Sequence, residues 1–126
     1  MNEPLWLTRM ALDAVQESQC QEHGGTPGPL NENLIESALA RARNKSAYAG
    51  ADLYAWTAAY IYGIAKNDGY RDANKRTAYV AGITFLRMNG TRVQALAQAV
   101  IDLMLDVATD QRDESSIADW LRQHTV

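Results

Sequence analysis

The sequence predicts an all-α fold, a compact bundle of about six helices forming one domain over residues 1–126. Three observations predict it. Apolar residues recur at three- and four-residue steps along most of the chain. Clusters of Gly, Pro and Asn cut that pattern into pieces of helical length. Only Thr91-Arg92-Val93-Gln94 has extended character, and it is too short to found a sheet. A chain of 126 residues that is 47% hydrophobic is enough for one core.

The elements follow in order. Leu5 to Gln21 carries Leu5, Leu7, Met10, Ala11 and Val15 at helical spacing, with Thr8 as its cap, and Gly24-Gly25-Thr26-Pro27-Gly28-Pro29 breaks it. Asn31 restarts a helix whose apolar stripe is Leu34, Ile35, Ala38, Leu39 and Ala42. Glu36 and Arg41 on that helix are candidates for an ion pair that supports a neighbouring loop. Tyr48-Ala49-Gly50-Ala51-Asp52 is a loop in which Asp52 caps the next segment. Leu53 to Lys66 is apolar on nearly all sides, as a central helix must be, and a second such helix runs from about Asn74 to Asn89. Asn89-Gly90 supplies its left-handed stop. Leu96 to Ala108 and Asp113 to Gln123 complete the set, the last capped by Ser115 or Ser116.

Composition excludes several classes. A net charge of −3 lacks the basic footprint of a nucleic-acid binder, so no direct nucleic-acid partner is expected. A single cysteine, Cys20, permits no intrachain disulfide and reads as a small semi-buried residue. With two His there is no cluster for zinc. No apolar run reaches the roughly 20 residues of a membrane span, and Met1-Asn2-Glu3-Pro4 is not a signal-peptide start. A soluble cytoplasmic protein without a membrane partner is expected.

The chemistry concentrates between the two most apolar helices, in Asp68-Gly69-Tyr70-Arg71-Asp72-Ala73-Asn74-Lys75-Arg76-Thr77-Ala78. Gly69 is expected to turn the chain, and Asp72 and Asn74 are both plausible N-caps for the helix that follows. The first amides of that helix lack internal partners. With the helix dipole and the side chains of Lys75 and Arg76 they suit a phosphate group. Arg76 is a bidentate donor and Lys75 a point charge. Beside a polyphosphate, Asp72 is the natural ligand for Mg²⁺, which takes hard oxygen donors and keeps most of its waters.

These residues resemble the active-site signature of the Fic/Doc family, His-x-Phe-x-(Asp/Glu)-(Gly/Ala)-Asn-x-Arg, with Tyr70, Asp72, Ala73, Asn74 and Arg76 in matching places. Lys75, where adenylylating members usually have glycine, makes the run similar to the Doc (death on curing) branch. Gly24-Gly25-x-x-Gly28, Leu34 to Arg41 and Phe85 to Gly90 look like further Doc landmarks, so the resemblance covers nearly the whole chain. It implies a compact helical domain and an ATP- and Mg²⁺-dependent transferase in the bacterial cytoplasm. It places phosphate contacts on Gly69, Ala73, Asn74, Lys75, Arg76 and Thr77, the metal on Asp72, and a buried anchoring aromatic at Tyr70. Lys66 and Asn67, with Tyr70, are further candidates to line the pocket. By the same resemblance the protein is a toxin held by a Phd-like antitoxin, whose flexible tail folds into a groove, and its target is a hydroxyl of elongation factor Tu. The family's alternative chemistry is transfer of AMP, which Lys75 argues against by crowding the usual nucleotide pose.

One departure stands out: the family's catalytic His falls on Asp68. That His is a general base, a role worth roughly 10²–10⁴-fold in rate. Aspartate is a shorter and weaker base, although carboxylates do serve protein kinases at the equivalent step. Three readings stand side by side. Asp68 is a disarming replacement in a toxic protein, a natural loss that leaves a nucleotide- or antitoxin-binding domain, or a working alternative base.

Overall fold

The computed structural model describes residues 3–48 and 50–126; Met1, Asn2 and Ala49, which belong to the expected chain start and to the Tyr48–Asp52 loop, lie outside the described residues. Six helices follow one another: α1 (Arg9–His23), α2 (Glu32–Lys45), α3 (Leu53–Asn67), α4 (Asn74–Met88), α5 (Ala97–Ala108) and α6 (Glu114–Gln123). Among the described residues the only extended pairings are two isolated bridges, Pro29 with Tyr70 and Val93 with Thr125. The all-α expectation therefore holds. The one stretch with extended character, residues 91–94, lies against the C-terminal tail, with Gln94 N–H donating to the His124 carbonyl at 2.9 Å and Val126 N–H to that of Arg92 at 3.0 Å.

Caps set the helix starts. The Thr8 hydroxyl accepts from Ala11 N–H at 3.0 Å, Asn31 Oδ1 from Leu34 N–H at 3.1 Å and Asp52 Oδ1 from Ala55 N–H at 2.9 Å. At α6 the expected serine caps are wrong. Asp113, with extended backbone, accepts from Ser116 N–H at 2.9 Å, and Ser116 lies inside the helix with its hydroxyl turned back to the Asp113 carbonyl. A carboxylate two residues before Ser115 satisfies an orphan amide of the first turn and adds favourable charge at the positive end of the helix.

Helix α3 is the centre of the bundle, packed on α2, α4, α5 and α6. Trp56, Ala58, Ala59, Tyr60, Ile61 and Ile64 are all buried, which explains why its sequence has no polar face. Phe85 of α4 meets Tyr60 edge-on, with centroids 4.9 Å apart, and Trp6 stacks on Phe85 at 5.9 Å. Gly82 permits the close approach of α4 to α3: a Cβ there would stand 2.6 Å from Ile61 Cγ1. Helix α4 is less enclosed than its composition suggests. Met88 is exposed and Tyr79, Val80 and Ile83 are only half-buried; Tyr79 and Val80 border an open groove toward α5.

The anticipated Glu36–Arg41 ion pair does not form. Glu36 binds Arg9 at 2.7 Å and Arg41 binds Glu114 at 2.6 Å. Residues five apart point to different sides of a helix, so each found a partner on another element.

Two outcomes test this packing. Gly82→Ala should destabilise by about 1–3 kcal/mol, as overpacking of a close helix crossing does, read as a lower denaturation midpoint. For Asp52, burial raises the carboxyl but the Ala55 amide and Arg122 outweigh it, leaving its pKa lowered. Its contribution is therefore complete above the ordinary carboxylate range and lost as pH falls through the depressed folded value. Asp52→Asn keeps a capping oxygen and loses the charge, so wild type should exceed it in stability at pH 7, with the gap closing on acidification below about pH 4.

Candidate active site

The loop between α3 and α4 is built by two residues in left-handed backbone, Asp68 (φ 50°) and Ala73 (φ 64°). Asp68, not Gly69, makes the turn that ends α3, a conformation aspartate tolerates better than most residues. Gly69 is required for a different reason. A Cβ on it would lie 2.6 Å from Ile35 Cγ1 and 3.0 Å from Ile35 N, so only glycine lets the loop lie on the start of α2. There the Gly69 carbonyl accepts from Leu30 N–H at 2.8 Å and Asn31 N–H at 3.0 Å, and Arg71 N–H donates to the Gly28 carbonyl at 3.1 Å.

Tyr70 is the anchor under the loop. Its ring is buried and its hydroxyl donates to Asp13 Oδ1 at 2.6 Å. Burial first, and then the Asp13 carboxylate, push its pKa well above the usual phenol range. Asp13 is paired in turn with Arg9 at 2.8 Å, and Arg9 reaches Glu32 at 2.6 Å. The hydrogen bond that Arg9 donates to Glu32 is the largest influence holding its guanidinium charged.

Neither Asp72 nor Asn74 caps α4. The N-cap is Ala73, with no side-chain cap bond. Asn74 instead grips Tyr70 twice, its Oδ1 accepting from Tyr70 N–H and its Nδ2 donating to the Tyr70 carbonyl, both at 3.0 Å. Asp72 turns away, its Oδ2 accepting from Thr26 N–H at 2.7 Å. The first main-chain bond of α4 is Thr77 N–H to the Ala73 carbonyl at 2.8 Å, and no acceptor meets the amides of Asn74, Lys75 or Arg76 among the described residues. A left-handed residue followed by right-handed ones makes successive amides converge, a nest suited to an anion at the positive end of the helix.

A cavity of about 250 Å³ opens in front of these amides, lined by Asp68, Arg71, Asp72, Ala73, Asn74, Lys75 and Arg76. Six of the residues predicted from sequence thus share one wall, and Arg71, to which no role was given, joins them. Five do not. Gly69 and Tyr70 are buried beneath the loop, and Thr77 is buried with its hydroxyl unpartnered among the described residues. Lys66 caps the end of α5 through Asp110 at 2.6 Å and the Val107 carbonyl at 3.5 Å, and the Asp110 hydrogen bond raises its pKa. Asn67 donates to the Leu34 carbonyl at 2.9 Å. Proximity in sequence misled here: α3 carries residues 66 and 67 onto other sides before the chain turns at Asp68.

Lys75 and Arg76 also rim a second, apolar groove of about 300 Å³ formed with Tyr79, Val80, Val100, Ile101 and Met104. The segment 24–28 crosses the opposite edge of the site. Arg76 Nη2 donates to the Gly24 carbonyl at 3.1 Å, and Gly25 lies so close that a Cβ on it would be 3.0 Å from Asp72 Cβ. Sequence reasoning noted those glycines without giving them work. It missed Gln16, a fully buried side chain of α1 that joins the segment to the loop. Its only signal was a polar residue on the stripe Leu12, Gln16, Cys20, where four-residue steps demand apolar ones.

The comparisons agree with this geometry. Residues 6–86 match the model of the Fic/DOC family. "Protein kinase doc" of Escherichia phage P1 is 34% identical over 113 residues, covering 89% of either chain. "Toxin Doc" of Mycolicibacterium smegmatis is 37% identical over 101 residues, 75% of this chain and 76% of its own. With the family model spanning most of the chain and two Doc proteins aligned along most of its length, the protein belongs to the Fic/Doc family, in its Doc branch.

Proposed function

We propose that the protein is a Doc-type toxin of a toxin–antitoxin pair, transferring the γ-phosphate of ATP to a hydroxyl of a protein target. The observation that carries this reading is the set of unbonded amides at residues 74–76, facing a cavity walled by Lys75 and Arg76. The names of the two relatives, a protein kinase and a toxin, point the same way. The β- and γ-phosphates occupy the nest, Arg76 clamps them with its remaining donors and Lys75 neutralises charge. Binding on fixed amides supplies the preorganisation that phosphoryl transfer chiefly needs.

Magnesium fits this donor set. Among the described residues no three acidic, His or Cys side chains gather into a metal cage, but Asp72 Oδ1 is without a hydrogen bond while Oδ2 is held by Thr26. One carboxylate beside phosphate oxygens is how Mg²⁺ is commonly held, and it would neutralise charge developing on the phosphates. In the transfer itself, the target oxygen bonds to the γ-phosphorus as the bond to the ADP oxygen breaks. The hydroxyl proton passes to the Asp68 carboxylate, among the described residues the only acidic group besides Asp72 on the cavity wall. Aspartate is shorter than histidine, so we propose that transfer is weakened in this chain, since attack geometry tolerates only about 1 Å of misplacement. The target is a hydroxyl of an elongation factor Tu-like translation factor, and the regulatory partner is a Phd-like antitoxin in the bacterial cytoplasm.

A second reading is favoured by the same Asp68: a domain that binds nucleotide or antitoxin without turnover. Labelled ATP separates them. Label from the γ position should pass to protein, rising about 10²–10⁴-fold in Asp68→His. Label from the α position would mean AMP transfer. No transfer by the His form, with nucleotide still bound, would leave the binding domain.

A further inference from the structure

Gln16 lies on the buried side of α1, 1% exposed, yet it carries an amide. All of its polar capacity faces inward. Nε2 donates to the Asp72 carbonyl at 3.1 Å and the Thr26 carbonyl at 3.3 Å, with Cys20 Sγ also at 3.3 Å, and Oε1 accepts from Gly28 N–H at 3.1 Å. One side chain therefore fastens residues 24–28, a strap over the site, to the residue just before the nest. Three more bonds cross the same junction, Thr26 N–H to the Asp72 carboxylate at 2.7 Å, the Arg76 guanidinium to the Gly24 carbonyl at 3.1 Å and Arg71 N–H to the Gly28 carbonyl at 3.1 Å.

The strap thus holds the two side chains to which the proposed function assigns metal and phosphate. It is held by hydrogen bonds rather than by buried apolar side chains. Residues 24–27 are exposed, and Gly24, Gly25 and Gly28 all have positive φ, so their conformation is not imposed by side-chain sterics. Burying an amide is unfavourable unless its hydrogen bonds are made, and here they are made to both sides of the junction. Shifting the strap by an ångström would redirect the Asp72 carboxylate and the Arg76 donor together.

We infer that Gln16 is a positioning residue of the active site, orienting Asp72 and Arg76 through the strap 24–28. The inference rests on the phosphate-binding reading of the nest. Its test uses the full chain, with MgATP as the probe, and compares Gln16→Met, Asp72→Ala, the double variant and Ile117→Ala. Methionine fills the same space without donors or acceptors, and Ile117 is a core residue of α6 that serves as a control for stability alone.

Gln16→Met should weaken MgATP binding about tenfold or more, the scale seen when the partner of a ligand side chain is removed. Ile117→Ala should lower the melting temperature and leave the affinity within about twofold. In the Asp72→Ala background the effect of Gln16→Met should shrink to about twofold or less, because residues acting as one unit are not additive. Amide exchange at Thr26, whose own acceptor is intact, should accelerate in Gln16→Met. Unchanged affinity in folded Gln16→Met, full additivity with Asp72→Ala, or unchanged Thr26 exchange would each overturn the inference. If wild type binds no MgATP, the phosphate reading fails, while Thr26 exchange still decides whether Gln16 sets the strap. Should Gln16→Met not fold, Gln16→Glu, which keeps the Gly28 bond and loses both donors, carries the same measurements.

Discussion

The double grip of Asn74 on the backbone of Tyr70 is the interaction on which the site depends. It closes residues 70–74 into a ring and holds Ala73 in left-handed backbone, which costs about 1–2 kcal/mol for a residue with a Cβ. Two hydrogen bonds at about 0.5–1.5 kcal/mol each are enough to offset that. The outcome is chemical. Had Asn74 or Asp72 capped α4 in the ordinary way, one of the amides at the helix start would have been taken up; instead all three at residues 74–76 are left to the cavity.

The ring in turn needs a firm base. Below it Tyr70 is buried and tied through Asp13 and Arg9 to α1 and α2, so the loop cannot rise without breaking an ionic network. Behind it Gly69 sits against Ile35 with no space for a Cβ. On either side α3 and α4 are fixed to each other through Ile61, Gly82, Tyr60 and Phe85. The glycine-rich strap that borders the site is exposed, and it is fastened by a buried amide rather than by apolar contact.

Asp68 fits its backbone better than its inherited chemical role. Left-handed geometry at the end of α3 is acceptable to aspartate, so exchanging the family's histidine for it asks little of the fold. The exchange changes reach, and it puts a carboxylate on the wall of the cavity that the unbonded amides face. The cradle and the proton acceptor are thus separable parts: one is set by main-chain conformation, the other by a single side chain.

The six helices, their order and the N-caps Thr8 and Asp52 were legible in the sequence, because apolar spacing and capping chemistry act within a few residues of each other. So was the gathering of charged side chains and a helix start in residues 72–76. The mistakes share a cause. Ser115 and Ser116 for Asp113, Asp72 and Asn74 as caps, and Glu36 with Arg41 were all local choices among polar groups, and each was decided by a partner that the sequence does not name. Lys66, Asn67 and Thr77 are neighbours of the site in sequence only, since helical rotation turns them elsewhere. Gln16 and the strap join the site across 56 residues of intervening chain. By itself the sequence determined where helices form and which loop gathers the cations and free helix-start amides, because those follow from local periodicity and local composition. Only the tertiary structure decided which side chains orient that loop, because a buried polar group takes whatever partner the packing of distant elements brings within hydrogen-bonding distance.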